Sequence, residues 1–455
     1  MIYKKILPAL LLVVFVQSCN LEPKYNKPKI EAPLEESSQQ KTVDISWKNF
    51  FEHDDLKRVI ELVVKNNRDL ELADLNLEIA RKNHAISIAD LLPQINATGT
   101  YTERGVPSQF SRFMAPRQFG ASVSLASYEI DFFGRLRNLK KSALQQYLAS
   151  NEAKNTVKIS LIAQTVDSYS NLVLDREILE IIKENLSFEE KRFGLINERY
   201  KNGISSENDF LTAKIALEVL KIEYQDYQNL IINDENNLLN LTASYKRKIL
   251  PQKDISILDI KADETLLEFV PSNSLLSRPD ILQAEYNLKS ANANIGSARA
   301  AFFPSISLTG SYGYGSTDLS TLFDTKSWNF SPTVNLPIFS GGRNVANLKI
   351  SNLRKKSEIV NYEKAIQSAF TETLNVLEQR KTLKTQLDSY SEILVSKLKL
   401  YEIMTASQKQ GMANEIDVLS AKIECLTAKR SFLKAKKDYL VSLVNVYKAF
   451  GGGVI

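Results

Sequence analysis

Apolar positions along the chain follow two periods that alternate twice. From Asp54 to Ala89, Leu56, Val59, Ile60, Val63, Val64, Leu70, Leu72 and Leu75 recur at mostly helical spacing. A break is expected at Asn66-Asn67, and Pro93 stops the run. The period then drops to two. Ile95, Ala97, Gly99 and Tyr101 alternate with polar neighbours, and Val123, Leu125 and Ser127 do so less regularly. A second strand-like zone is plainer. Ile306, Leu308, Gly310, Tyr312 and Tyr314 share one face, and Trp328, Phe330, Pro332, Val334, Leu336 and Ile338 share another. Segments of about ten residues with one apolar face and terminal aromatics match membrane-spanning β-strands. Irregular connections are expected at 103–118 and 315–327. After each strand pair the helical period returns at great length. Neither Gly nor Pro occurs from Arg135 to Phe193 or from Arg343 to Gln410. A continuous helix over either stretch would reach about 100 Å. Leu383, Leu387, Tyr390, Leu394, Leu398 and Tyr401 alternate spacings of three and four, as in helices that pack on one another. Gly203 and Gly411 suit left-handed turns between outgoing and returning helices. The return helices are expected through Leu211–Leu250 and Leu419–Phe450, closed by Pro251 and by Gly451-Gly452-Gly453.

The two regimes are copies of each other. Asp69 to Tyr101 realigns on Asp280 to Tyr312 at a constant offset of 211, matching Ala73 with Ala284, Asn76 with Asn287 and Pro93 with Pro304. Further on, Gly203, Asp209, Leu211, Ala213 and Lys214 return as Gly411, Asp417, Leu419, Ala421 and Lys422, the offset now being 208. The chain is therefore expected to hold two repeats, 47–250 and 272–455, joined by a linker at 251–271. The strand pairs fall at about 94–131 and 305–338, and the helical-hairpin tips near 203 and 411.

Composition supports long helices: Gly (16) and Pro (13) are few for 455 residues. The formal charge of +5 comes from lysines interleaved with acids, and a nucleic-acid partner would call for a basic stripe. His53 and His84 stand far apart without nearby cysteine, so no metal-ligand set can be written. No catalytic constellation and no cofactor motif emerges, and an enzyme is not expected. Lys4-Lys5 followed by the apolar run Ile6–Val16 reads as a secretory signal over 1–18. It ends Val16-Gln17-Ser18-Cys19, a lipobox pattern in which the Cys19 thiol receives the diacylglycerol. The alternative is an ordinary signal with a chance cysteine. Residues 19–46, with Pro23, Pro28 and Pro33, read as an extended, lipid-anchored tether. Asn20 is compatible with an outer-membrane destination. Cys425 is left as a small buried residue in a helix.

Four strands cannot close into a barrel, and an open edge inside a bilayer leaves backbone groups unpaired. If the strands span a membrane, the chain must oligomerise, and three copies supply twelve strands. A closed barrel leading into a closed helical cylinder is a conduit.

Several local patterns, in this order, carry a family resemblance. They are Leu21-Glu22-Pro23-Lys24-Tyr25, Trp47 with Phe50-Phe51, and Ser127-Tyr128-Glu129-Ile130-Asp131-Phe132-Phe133-Gly134-Arg135. Arg278-Pro279-Asp280, Ala300-Ala301-Phe302-Phe303-Pro304, Leu336-Pro337-Ile338-Phe339-Ser340-Gly341-Gly342-Arg343 and the terminal Tyr447-Lys448-Ala449-Phe450-Gly451-Gly452-Gly453 complete the series. Together they make the chain resemble the TolC-like outer-membrane efflux proteins, in the lipoprotein branch typified by OprM and NodT. The resemblance implies a mainly α fold: a long antiparallel helical tunnel continuous with a twelve-stranded barrel shared by a homotrimer. It also implies a passive outer-membrane duct of a tripartite exporter, meeting a periplasmic adaptor and an inner-membrane pump, the RND type before others. Under it, Gly203, Ile204, Ser205, Gly411, Met412 and Ala413 match the adaptor-docking tips, and a plain helix end remains the other reading of both turns. Asp417, with Asp209, matches a periplasmic gate, where a second gate aspartate of the family corresponds here to Ser420. Asp417 could instead cap the returning helix or pair with Lys422. The rival to a duct is a lipid-anchored coiled-coil spacer of the envelope.

Overall fold

The computed structural model describes residues 20–28, 46–105, 107, 115–252, 254–265 and 272–453. The signal segment, Cys19 and residues 29–45 of the expected tether lie outside them.

The elements run α1 (Trp47–Phe50), α2 (Asp54–Asn66), α3 (Arg68–Ala89), β1 (Gln94–Glu103), β2 (Arg117–Ile130), α4 (Arg135–Lys201) and α5 (Glu207–Leu241). After two short 3-10 turns come α6 (Pro279–Ala300), β3 (Ser305–Ser316), β4 (Lys326–Asn335), α7 (Arg343–Lys409) and α8 (Glu415–Ala449). The repeat holds at the level of whole helices. α3 and α6 have 22 residues each, α4 and α7 have 67, and α5 and α8 have 35.

Two compact units result, one from Met1–Glu31, Leu75–Asn151 and Gln283–Lys364, the other from Ala32–Asp74, Glu152–Leu282 and Ala365–Ile455. Each unit draws on both repeats, so the copied sequence is not the packing unit.

The first unit contains a four-stranded antiparallel sheet in chain order, β1-β2-β3-β4. Pairing of β2 with β3 joins the two repeats, with Val123 opposite Tyr312 and Ile130 opposite Ile306. Its register shifts between Leu125 and Tyr128, where Ser127 takes φ 24°. Gly313 is required at the same seam, since a Cβ there would collide with the Ala121 carbonyl. β1 and β4 are the edges, ten residues each, and among the described residues each pairs on one side only. β4 ends at Asn335 rather than running on through Leu336 to Ile338 as the alternation suggested. Pro337 offers no N–H to a ladder, so Leu336 and Ile338 leave the strand.

Asn20–Pro28 forms no helix or strand yet is held against the first unit along its length. Glu22 meets Lys141 at 2.7 Å and accepts from Asn292 at 3.0 Å. Lys27 reaches Glu285 at 3.0 Å, and Arg299 donates to the Leu21 carbonyl at 3.2 Å. Behind this strap α4 and α6 approach closely, with the Ser142 and Ser290 hydroxyls 2.8 Å apart.

The second unit is built on a large apolar core. Phe50 and Phe51 are fully buried, and Phe50 stacks on Tyr447 with centroids 5.0 Å apart. The expected break at Asn66-Asn67 is a built joint. Asn67 Oδ1 accepts the Asp69 and Leu70 N–H groups, capping α3, while its amide donates to the Leu241 carbonyl at 2.9 Å. That carbonyl is the end of α5, which stops well before Leu250 and Pro251. Thr242 Oγ1 takes up the Leu238 and Leu239 carbonyls, and Ala243 turns left-handed at φ 48°. The Leu211–Leu250 expectation overlooked this exit because Thr and Ala carry no breaker signal. α8 closes at Ala449, where Gly451, Gly452 and Gly453 all take positive φ.

Candidate functional site

Each 67-residue helix ends in a turn of the same chemistry. Gly203 (φ 72°) and Gly411 (φ 75°) adopt the left-handed conformation that closes a helix, which disfavours any residue with a Cβ. The Ile204 N–H donates to Arg199 carbonyl at 2.8 Å, and the Met412 N–H donates to Ser407 carbonyl at 2.9 Å. These positions correspond under the same offset of 208. The next residues have their side chains in solvent: Ile204 and Met412 are each 71% exposed. Neither side chain is covered by its own chain. Tyr200 supports the first turn by stacking on Phe210 at 4.9 Å.

Both turns lead into capping boxes, of which only the Asp417 cap was among the expectations. Ser206 Oγ accepts the Asp209 N–H at 3.1 Å, while Asp209 accepts from the Ser206 N–H at 3.2 Å. Asn414 and Asp417 repeat the arrangement at 3.0 and 3.1 Å. The signal was present as Ser-x-x-Asp and Asn-x-x-Asp ahead of an apolar run. The Ser206 hydroxyl and N–H, with help from Ser205, hold the Asp209 carboxyl below the ordinary aspartate range, so it remains charged around neutrality. Asp417 does cap the returning helix, as one reading had it. It does not pair with Lys422, whose ammonium goes instead to Glu184 on α4 at 3.0 Å. Ser420 points its hydroxyl back to the Ile416 carbonyl at 2.8 Å.

Gly203, Ile204, Ser205 and Asp209 thus share one turn, and Gly411, Met412, Ala413, Asp417 and Ser420 share the other. Among the described residues no hydrogen bond, ion pair or ring contact joins the two turns. The hairpins behind them are tied by charge. Lys397 on α7 meets Glu424 on α8 at 2.6 Å, and Arg430 on α8 pairs with Glu223 on α5 beside the Tyr227 ring. Two helices keep apolar faces uncovered within the chain: Leu211, Ile215, Val219 and Ile222 on α5, and Ile393, Leu400 and Ile403 on α7. Tyr390 and Leu398 of the expected heptad seam are also exposed, whereas Leu383 and Leu387 pack on the core. On the sheet, Ile95, Trp328, Phe330 and Val334 are exposed as well.

The described residues place no group of three or more His, Cys, Asp or Glu to hold a metal ion. Among the described residues no helix is long and apolar enough to cross a membrane. His53 serves as the N-cap of α2, accepting the Leu56 N–H through Nδ1, and Cys425 is buried with a free thiol.

The chain matches the family model described as outer membrane efflux protein over residues 59–244 and 270–452, one stretch in each repeat. It is 34% identical over 470 residues to the probable efflux pump outer membrane protein TtgC of Pseudomonas putida, covering 99% of this chain and 96% of that protein. It is 33% identical to the cation efflux system protein CusC of Escherichia coli K12, covering 96% of both. Among solved structures, the open state of the Neisseria gonorrhoeae MtrE outer membrane channel superposes with a TM-score of 0.83 at 32% identity, covering 96% of this chain and 99% of that one. The duplicated long hairpins, the four-stranded sheet with two free edges and these three likenesses agree: the chain belongs to the outer membrane efflux protein family.

Proposed function

We propose that three copies of this chain form the outer-membrane channel of a tripartite efflux system, a passive duct from periplasm to exterior. The observation that carries the reading is the pair of unpaired edges, β1 and β4. About half the backbone groups of an edge strand point away from its one partner. In a bilayer each such group costs several kcal/mol, on the order of tens per edge. Strand order supplies the remedy. β4 of one copy runs antiparallel to β1 of the next, and three copies complete twelve strands. The uncovered apolar faces of α5 and α7 are then covered by neighbours, as the sheet edges are.

The exposed Ile204 and Met412, on turns that Gly203 and Gly411 permit, fit a periplasmic adaptor presenting its own helices, with Ser205 and Ala413 small enough to permit close approach. Asp417 and Asp209 would bring like charges around the axis at the entrance, favouring cations there, with Ser420 removing a charge the family's gate carries. The inner-membrane pump is taken to be of the RND type, as the family resemblance of the sequence motifs implies. Cys19 would carry the lipid. CusC is named for cation efflux and this TtgC for no cargo, yet they stand at nearly equal identity to this chain, so the likeness selects the conduit and not what passes through it. A coiled-coil spacer would have no use for Trp328 and Phe330 exposed on a sheet with open edges.

Native mass spectrometry of the lipid-modified protein in mild detergent tests the assembly. A trimer is expected, and a stable solitary chain would remove the duct.

A further inference from the structure

Away from the turns, α4 and α5 bring together two carboxylates, one of which has an oxygen without a donor. Asp175 on α4 lies against Asp234 on α5, and Asp234 Oδ2 is shut off from solvent with no hydrogen-bond partner. Among the described residues no nearby cation makes an ion pair with either carboxylate. Arg176, next in sequence to Asp175, donates to Glu235 at 2.8 Å and to the Pro251 carbonyl at 2.9 Å. From α8, Lys437 sits 3.1 Å from Asp438 and 4.0 Å from Asp167 of α4, and Lys434 lies 5.9 Å from the Tyr227 ring centroid. The charged groups that act on the pair are Asp167 on α4 and Lys434 and Lys437 on α8, while Arg176 and Glu235, next in sequence to the two aspartates, pair with each other.

Two ionised carboxylates side by side, with one of their oxygens shut off from water, repel each other. One proton resolves the conflict, because a carboxylic acid donating to a carboxylate makes a short, charge-assisted hydrogen bond. We propose that Asp175 and Asp234 share a single proton, and that this proton clamps α4 to α5. The inference concerns the hairpin alone and requires neither the trimer nor the adaptor. Burial, then the bond to Asp175 and its charge, push the Asp234 carboxyl up to about 7, and burial raises Asp175 as well. The folded pair thus holds a proton more tightly than an unfolded chain would. The stabilisation is complete below the ordinary aspartate range, declines as pH rises through about 7, and is absent above it. Since α4 and α5 meet at the Gly203 turn, loss of the proton loosens the hairpin that carries that turn.

Hydrogen exchange followed by mass spectrometry on the full-length protein in mild detergent tests the clamp. Peptides from residues 225–241 are compared at about pH 5.5 and about pH 8.5 after correction for intrinsic rates. In the wild type the local opening constant should be about thirtyfold larger at the higher pH. In Asp234→Asn the amide donates to Asp175 without a titrating proton, so that difference should vanish, and Asp175→Asn should behave alike. An equal pH dependence in wild type and both variants, or none in wild type, overturns the proposal. Infrared spectra of the wild type give a reading that does not depend on variants folding. A protonated-carboxyl carbonyl band that titrates near neutrality is expected, and its absence would also overturn the clamp.

Discussion

Asp417 has two possible tasks, and their sizes can be separated. Within the chain it accepts one hydrogen bond, from the Asn414 N–H at 3.1 Å, while the reciprocal bond to Asn414 Oδ1 survives its removal. Losing one exposed bond of this kind costs about 1 kcal/mol, far too little to unravel a 35-residue helix packed on the core. Around a three-fold axis the same residue would form a ring of charges. At a separation of about 10 Å in water, each like-charge pair repels by about 0.4 kcal/mol, so three pairs hold about 1.2 kcal/mol. The two contributions are similar in size but respond differently to salt. Repulsion fades once the screening length falls from about 10 Å at 0.1 M to about 3 Å at 1 M, whereas the cap is indifferent. Asp417→Asn keeps an acceptor for Asn414 and removes only the charge, while Asp417→Ala removes both. In planar bilayers both variants should lose cation preference relative to wild type at about 0.1 M salt, and all three should converge at about 1 M. Only Asp417→Ala should also melt slightly earlier. Unchanged ion selectivity in Asp417→Asn at low salt would refute a charge ring and leave Asp417 as a helix cap alone.

Ile204→Asp and Gly411→Trp should abolish efflux-dependent resistance while the amount of trimer stays constant, measured by growth inhibition alongside native gels; normal resistance in both would remove the turns from the docking surface. Arg278 is nearly buried and donates to the Ala449 carbonyl at 2.7 Å, to Asp280 at 2.8 Å and to Glu372 at 2.7 Å. Arg278→Ala strands that carbonyl at the end of α8, and since both acids remain over a third exposed the cost should be on the order of 3 kcal/mol, seen as a lower thermal midpoint with the spectrum of a folded helix retained.

Periodicity and the internal offset were enough to place the long helices, both glycine turns and both strand pairs, because helix stripes, strand alternation and left-handed glycines are local properties. Closing β2 on β3 was not legible, since pairing between repeats depends on which edges meet in space. The exit of α5 at Thr242-Ala243 lacked any Gly or Pro to announce it. Alternation overran β4 because Leu336 and Ile338 keep the apolar period after Pro337 has ended the ladder. The strap at Asn20–Pro28 was hidden for another reason: prolines announce extended chain, but only the buried Asn292 and Glu285 on α6 show that such a chain is bound. Ser206 and Asn414 could have been found from their spacing to Asp209 and Asp417. The meeting of Asp175 with Asp234 could not, since it links residues far apart in the chain.

The matched lengths of α4 with α7 and α5 with α8 put both arms under a shared tolerance. Deleting one residue in the middle of α4 would rotate everything beyond it by about 100° and retract its turn by about 1.5 Å, while the twin in α7 stayed put. Ile204 and Met412 would then no longer present themselves alike. Surviving insertions or deletions in these rods should therefore arrive as coordinated pairs, or as multiples of seven that restore the seam, and isolated single-residue slips should be purged.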